Sequence, residues 1–213
     1  MNYFEIINKC LIELNYREVS SWDALTLNDH KRLKEAIKRV NLQICAGDDW
    51  PFLERTTEIR LLKGQKMFYN SVSGKINIFL VNGQEYQYSP NYKAFLTDDG
   101  LPGKYTAYGE HIYLPAHSEA VTCKILYNSD FSAKDENYEE KKYLENETDE
   151  SLIPEAFHES LLVYGSCLRL KGTPEHSKFK YWYSMFNDAL TTMRARCAPA
   201  KTQFAKISLL REF

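Results

Sequence analysis

The chain has 213 residues, enough to bury a substantial core in one domain or in two unequal ones. Apolar residues make up 44% and charged residues 26%, which are the proportions of an ordinary folded protein. The formal net charge of −2 argues against a general nucleic-acid binder, and no apolar run approaches the ~20 residues that cross a bilayer, so no membrane partner is expected.

Two amphipathic helices are predicted before residue 50. In each segment apolar side chains recur at steps of three and four residues, which places them on one face of a helix. The two stripes are Phe4, Ile7, Leu11 and Leu14, then Leu33, Ile37, Val40 and Ile44. Gly47 and the pair Asp48-Asp49 end the second helix, and Trp50-Pro51 begins a different structure.

Alternating residues then predict about six antiparallel strands between residues 55 and 131. Asn82-Gly83 joins two of them and is typical of a type I′ turn. In the stretch GLPGKYTAYGEHIYLP (100–115), Gly109-Glu110 predicts a type II′ hairpin. Alternation then directs Tyr105, Ala107, Ile112 and Leu114 to one face, and Lys104, Thr106, Tyr108, His111 and Tyr113 to the other.

Helices are predicted again after a charged connection. Residues 132–151 are dense in Lys and Glu, and we expect an exposed loop or a frayed helix there. Pro154 opens the third helix, Gly172-Thr-Pro174 ends it, and a fourth runs from Glu175 to about Cys197.

The expected fold is therefore α+β. A four-helix bundle is built from the N- and C-terminal segments, residues 1–54 and 152–200. An antiparallel β-hairpin sheet or sandwich, residues 55–131, is inserted between them. Residues 132–151 form a charged linker and residues 201–213 a C-terminal tail.

The sequence offers little chemistry. It contains no phosphate-binding glycine loop, GxSxG or HExxH motif, and its five cysteines form no CxxC pair. Buried free thiols are therefore expected, and His111 and His117 are expected to face solvent on the hairpin. His158 and Cys167 lie too far apart along one helix to form a dyad. We expect no catalytic residue, no metal site and no cofactor.

The order of the landmarks resembles a known family. A helical start ends at DDWPFLERTTEIRL (48–61), hairpins include GLPGKYTAYGEHIYLPAHSEAVTCKILY (100–127), and LIPEAFHESLLVYGSCLRLKG (152–172) follows an acidic gap. This resembles the head–tail adaptor or tail tubular proteins of tailed bacteriophages, in particular short-tailed ones. The matching positions are Gly100, Pro102, Tyr105, Ile112, Leu114, Pro115, Tyr127 and Pro154.

The resemblance implies a virion structural protein and no enzyme. Such proteins are made in the host cytoplasm and form a ring, commonly of twelve copies, at the head–tail junction. The ring joins the portal protein to a downstream tail or nozzle protein and lines the channel through which DNA passes. The long charged gap at 132–151 departs from the family pattern.

Two sets of contact residues follow under this interpretation. Apolar tail residues would contact the portal, unless the tail packs on its own bundle: Phe204, Ile207, Leu209, Leu210 and Phe213. Tyrosines of the sheet would contact subunits or the tail, with ordinary packing within the chain as the alternative: Tyr86, Tyr88, Tyr108 and Tyr113. The alternative function is a small tyrosine-rich β-platform module that binds carbohydrate or peptide.

Overall fold

The computed structural model describes residues 1–97 and 100–197 and confirms the mixed α+β class. The chain divides into two compact units. One, the helical unit, contains residues 1–53 and the described residues from 130 onward. The other, the β unit, contains residues 54–129. No helix of the described residues is both long and apolar enough to cross a membrane.

Five α-helices and eleven strands are formed by the described residues. The helices are α1 (Tyr3–Glu13), α2 (Asn28–Gly47), α3 (Lys93–Thr97), α4 (Tyr164–Lys171) and α5 (Phe179–Cys197). The strands are β1 (Glu54–Leu61), β2 (Met67–Tyr69), β3 (Gly74–Val81), β4 (Gln84–Glu85), β5 (Gln87–Tyr88), β6 (Lys104–Tyr108), β7 (His111–Tyr113), β8 (Val121–Ser129), β9 (Ala133–Lys134), β10 (Glu140–Lys141) and β11 (Glu150–Ser151).

The third expected helix is not a uniform α-helix. After Pro154 the chain forms a 3₁₀ turn (Glu155–Phe157), then a π-helix (His158–Val163), and only then α4. The other short 3₁₀ turns of the helical unit lie at Trp22–Ala24 and Pro51–Leu53.

Helices from the two ends of the chain share one apolar core. The π-helix and α4 contribute Leu161, Leu162 and Cys167, which are buried with side chains of α1, α2 and α5. Polar contacts join the same helices: Trp182 Nε1 donates to Glu13 Oε2 at 3.0 Å, and Arg194 donates to the buried Asp48 carboxylate at 2.9 Å. The first fifty residues and the last helices therefore fold as one unit.

The charged connection differs from the expected exposed loop. Strands β10, β9 and β11 form a three-stranded antiparallel sheet in that order, and Leu144 is fully buried in the helical core. The Asp149 carboxylate is also fully buried, where it accepts hydrogen bonds from the backbone N–H groups of Glu145 and Asn146 and pairs with Lys141 Nζ at 3.1 Å. Local partners satisfy this charge, so a segment dense in Lys and Glu can fold.

Asn41 connects that sheet to α2. It lies on the buried side of α2, with no exposed surface. Its amide Nδ2 donates to the carbonyl oxygen of Ser132 at 2.8 Å and to Ser132 Oγ at 3.1 Å. Its Oδ1 accepts from Ser151 Oγ at 2.6 Å. One buried amide thus binds β11 and the residue that precedes β9 to the middle of the long helix.

The β unit consists of two four-stranded sheets around a second apolar core. Their strand orders are β1-β8-β3-β4 and β2-β7-β6-β5, and every pairing except β5 with β6 is antiparallel. Phe79 of the first sheet stacks on Tyr105 of the second at 4.4 Å between ring centroids. The expected 84–88 strand is divided at Tyr86, so that β4 and β5 belong to different sheets.

Both predicted hairpin turns are confirmed by the backbone. Asn82 and Gly83 have φ values of +49° and +83°, the pair of positive angles that a type I′ turn requires. Gly109 has φ +60° while Glu110 is not among the positive-φ residues, as in a type II′ turn. Tyr108 and His111 face each other directly across this turn.

The predicted hairpin faces are confirmed by the register, in which Ala107 is the direct partner of Ile112 and Thr106 that of Tyr113. Tyr105, Ile112 and Leu114 are buried in the β core as expected. Ala107 lies on the same face but is exposed, near the end of β6 beside the turn. Thr106 is buried on the outer face, where Tyr92 stacks over the neighbouring Tyr108.

Replacement of Asn41 by alanine should lower the free energy of unfolding by about 2 kcal/mol, because buried Ser132 and Ser151 groups lose their partner. Urea denaturation followed by far-UV circular dichroism measures the loss. The matched control is Gln43→Ala, an exposed amide of the same helix that accepts one hydrogen bond from Arg169. It should cost no more than about 0.5 kcal/mol. Equal losses in the two variants would contradict the central role given to Asn41.

Gly100 combines a positive φ with close packing. Its φ is +81°, and a Cβ there would lie 2.9 Å from the Phe95 ring and 3.3 Å from Pro115 Cα. Gly100→Ala should therefore destabilise the β unit more than Gly103→Ala, whose φ is +68° but whose Cβ would meet nothing within 4 Å. We expect about 1 kcal/mol for the control and a further loss from steric overlap at Gly100, measured by urea denaturation. A control as costly as Gly100→Ala would show that backbone strain alone accounts for the effect.

Candidate functional site

The outer side of the sheet β2-β7-β6-β5 carries a group of aromatic side chains that we call the aromatic face. It is opposite to the side that packs on the β core, since neighbouring residues along a strand point to opposite sides. Its members are Met67, Tyr69, Tyr92, Tyr108, His111 and Tyr113.

Strand register arranges these side chains in two rows. Tyr69, His111 and Tyr108 are direct partners across β2, β7 and β6. Met67, Tyr113 and Thr106 form the neighbouring row. The intervening residues Phe68 and Ile112 are buried on the other side, which fixes the direction of both rows.

Ring contacts hold the aromatic face in one arrangement. Tyr92 stacks on Tyr108 with 4.3 Å between ring centroids and an interplanar angle of 4°. The His111 ring contacts Tyr69 edge-on at 6.2 Å and lies 6.4 Å from Tyr113. Tyr69 remains 61% exposed and Tyr108 48%. Ordered yet exposed aromatic rings suit a binding surface, because little side-chain entropy is lost when a partner covers them.

The four tyrosines expected at contacts are not all brought together. Tyr108 and Tyr113 lie on the aromatic face. Tyr88 is 56% exposed on β5, where its ring packs edge-on against Tyr105 at 5.7 Å. Tyr86 is half-buried against the β core, 6.1 Å from the His117 ring. Tyr86 therefore packs mainly within its own chain.

Three members of the aromatic face were missed from the sequence. Met67 and Tyr69 are exposed on either side of the buried Phe68, which is the alternation of a strand. The pattern was missed because β2 is only three residues long. Tyr92 precedes the short helix α3 and reaches the face by stacking on Tyr108. The apolar residues expected to contact the portal, Phe204, Ile207, Leu209, Leu210 and Phe213, lie outside the described residues.

The aromatic face presents aromatic rings and tyrosine hydroxyls to solvent. Burial raises the pKa of Tyr86 and of Tyr105, two tyrosines outside the aromatic face, above the usual tyrosine value. Exposed tyrosines supply flat apolar area together with hydroxyl groups that donate or accept hydrogen bonds. Across residues 1–97 and 100–197, no group of three or more His, Cys, Asp or Glu side chains could hold a metal ion.

Reactive side chains of the helical unit have structural roles. Burial lowers the pKa of His158, because desolvation disfavours the charged ring, and its Nε2 donates to the carbonyl oxygen of Ile153 at 2.6 Å. Burial raises the pKa of Cys10 well above its usual value, with the neighbouring Cys167 as the next cause, and raises that of Cys45 to about 12. Protonated thiols of this kind are poor nucleophiles.

No family model matches the chain, and no curated protein matches it.

Proposed function

We propose that this protein is a structural component of a short-tailed bacteriophage. Copies of the chain form a ring at the head–tail junction of the virion. The ring would join the portal protein to a downstream tail or nozzle protein and line the channel for DNA. Twelve copies is the number that the family resemblance implies. The proposal assigns the protein no catalytic step and no cofactor.

One observation carries this proposal. Helices from both ends of the chain share a core, while the residues between them form a separate antiparallel β unit. A helical unit interrupted by a sheet domain is the organisation that the resemblance implies for an adaptor. In this proposal the helices of the unit act as a four-helix bundle that packs beside those of neighbouring copies.

The aromatic face supports a contact role for the β unit. It combines the exposed rings of Tyr69 and Tyr108 with Met67, an adaptable apolar side chain. Tyrosine and methionine are enriched at the centres of protein interfaces. We assign the aromatic face, including Tyr113, to the neighbouring subunit or the downstream tail protein.

The overall charge is compatible with transient passage of DNA. A net charge of −2 gives few phosphate contacts for a channel to release. Tight electrostatic binding would slow ejection, because each neutralised phosphate adds to the affinity.

Deletion of residues 201–213 should leave a folded protein that no longer binds the portal. The tail contains five large apolar side chains, whose burial against a partner would contribute ~25 cal/mol per Å². A pull-down with purified portal ring, checked by negative-stain microscopy, measures binding, and circular dichroism verifies the fold. The matched control exchanges Lys201, Lys206 and Arg211 for glutamine, which retains the apolar residues. Full binding by the truncated protein would remove the role of the tail.

A carbohydrate- or peptide-binding module is the second candidate, and the aromatic face favours it. Exposed rings such as Tyr69 can stack on the apolar face of a sugar. If this function is correct, a glycan array should show saturable binding that Tyr69→Ser weakens by about tenfold or more. Leu62→Ser, an exposed apolar position outside the aromatic face, is the control. Portal binding without glycan binding excludes this candidate, and the reverse result excludes the adaptor.

A further inference from the structure

A small apolar cavity lies in the helical unit, where α1 and α4 end and α2 begins. Its volume is about 130 Å³. Leu11 and Leu14 line it from the end of α1, His30 and Leu33 from the start of α2, and Leu170 from the last turn of α4. The wall therefore consists mainly of leucine side chains, and we call this space the helix-end cavity.

His30 brings an unpartnered polar atom to the wall of the helix-end cavity. The residue is only 8% exposed, and its Nδ1 has no hydrogen-bond partner in the part of the chain that the structure describes. Its neighbours in the wall, Leu11 and Leu33, are buried hydrocarbon. A buried polar atom loses its hydrogen bonds to water on folding, so a group that supplies a new one is bound favourably.

The size of the helix-end cavity suits one small ring. Apolar cavities of about 150 Å³ bind single rings such as benzene, and this cavity is slightly smaller at about 130 Å³. An ordered water molecule needs about two to four polar partners, whereas the buried side chains of this wall are Leu11, Leu33 and His30. The wall therefore favours an apolar group that also carries one polar atom.

Charged side chains of both signs lie at the exposed edge of the cavity. Asp29 lies 4.0 Å from Arg32, and Lys171 at the end of α4 is also exposed. Asp29 repels an anionic ligand, while Arg32 and Lys171 repel a cationic one. Leu27 and Tyr16, which are 63% and 42% exposed, add apolar surface that a ligand would cover. The edge therefore favours a neutral ligand.

We propose that the helix-end cavity reversibly binds a small neutral molecule with one apolar ring and one hydroxyl group, the chemistry of a simple phenol. The ring lies among Leu11, Leu33 and Leu170, and the hydroxyl pairs with the His30 ring. A hydroxyl both donates and accepts a hydrogen bond, so it can pair with a histidine nitrogen in either tautomer, whereas a carbonyl oxygen only accepts. This binding is additional to the adaptor function and does not depend on it.

A ligand in the helix-end cavity contacts three helices at once. Because α1, α2 and α4 contribute to the wall only when they are packed together, the ligand binds the folded helical unit and not the unfolded chain. Its binding free energy therefore adds to the stability of the fold, and Tm should rise as the ligand concentration increases.

Titration of the full chain with phenol tests the site. Ligand-detected NMR measures the dissociation constant, and toluene, in which a methyl group replaces the hydroxyl, is the matched ligand. The filling variant is Leu14→Phe, at a half-buried position of the wall. Its control is Ile12→Phe, which places the same ring on α1 at an exposed position outside the wall. Circular dichroism confirms that each variant is folded.

We expect saturable binding of phenol to the wild type and at least about tenfold weaker binding to Leu14→Phe, because its ring occupies the space of the ligand. Ile12→Phe should bind phenol as the wild type does. Absence of saturable binding overturns the proposal, and so does equal binding by the wild type and Leu14→Phe.

The role of His30 is tested by the preference for phenol over toluene. His30→Leu removes both ring nitrogens and keeps the wall apolar, so this preference should fall by about fivefold, the effect of losing one hydrogen bond. His111→Leu, on the aromatic face of the β unit, is the control and should leave the preference unchanged. An unchanged preference in His30→Leu overturns the pairing, as does a loss of phenol binding in His111→Leu alone, which would place the ligand on the aromatic face.

Two further measurements do not depend on any variant. Benzoate and benzylamine, charged forms of the same ring, should bind the wild type more weakly than phenol, and tighter binding of either would contradict a neutral ligand. In proton–nitrogen correlation spectra of the wild type, phenol should shift the signals of the residues around His30 and Leu170. Shifts confined to the β unit would exclude the helix-end cavity as the site.

Discussion

The helical unit depends on the buried amide of Asn41. It lies on a mainly apolar helix face, and its three hydrogen bonds reach Ser132 and Ser151, which follow the β unit in sequence. A buried polar group without partners would cost more than the hydrogen bonds return, so this arrangement tolerates few alternatives. These hydrogen bonds fix the position at which the chain re-enters the helical unit after the β unit. The core residues of the π-helix, α4 and α5 come later in the sequence.

The need of buried polar groups for hydrogen-bond partners also explains how a charged segment can be part of the core. Asp149 is stabilised by two backbone N–H groups and by Lys141, which allows Leu144 beside it to be buried. With that segment anchored, its hairpin presents a rigid turn rather than a mobile loop.

The β unit supports function differently. Two turns of defined type and a core centred on Phe79 and Tyr105 set the register of its sheets. Register then decides which tyrosines are exposed, because a shift of one residue would exchange the two faces. The aromatic face is therefore a property of the pairing among β2, β7 and β6, and its rings are ordered by contacts with one another.

Local patterns alone determined the α+β class, the helices α1, α2 and α5, the long strands, and the two turns at Asn82 and Gly109, since each depends on residues close in sequence. Only the tertiary structure decided the rest. Tyr92 joins the aromatic face through a stack with Tyr108, the 84–88 strand divides between two sheets, and the segment 132–151 folds because Asn41, distant in sequence, binds it. From its composition alone that segment is expected to be solvated, because composition gives the number of charges. It does not show which partners those charges have in the folded chain.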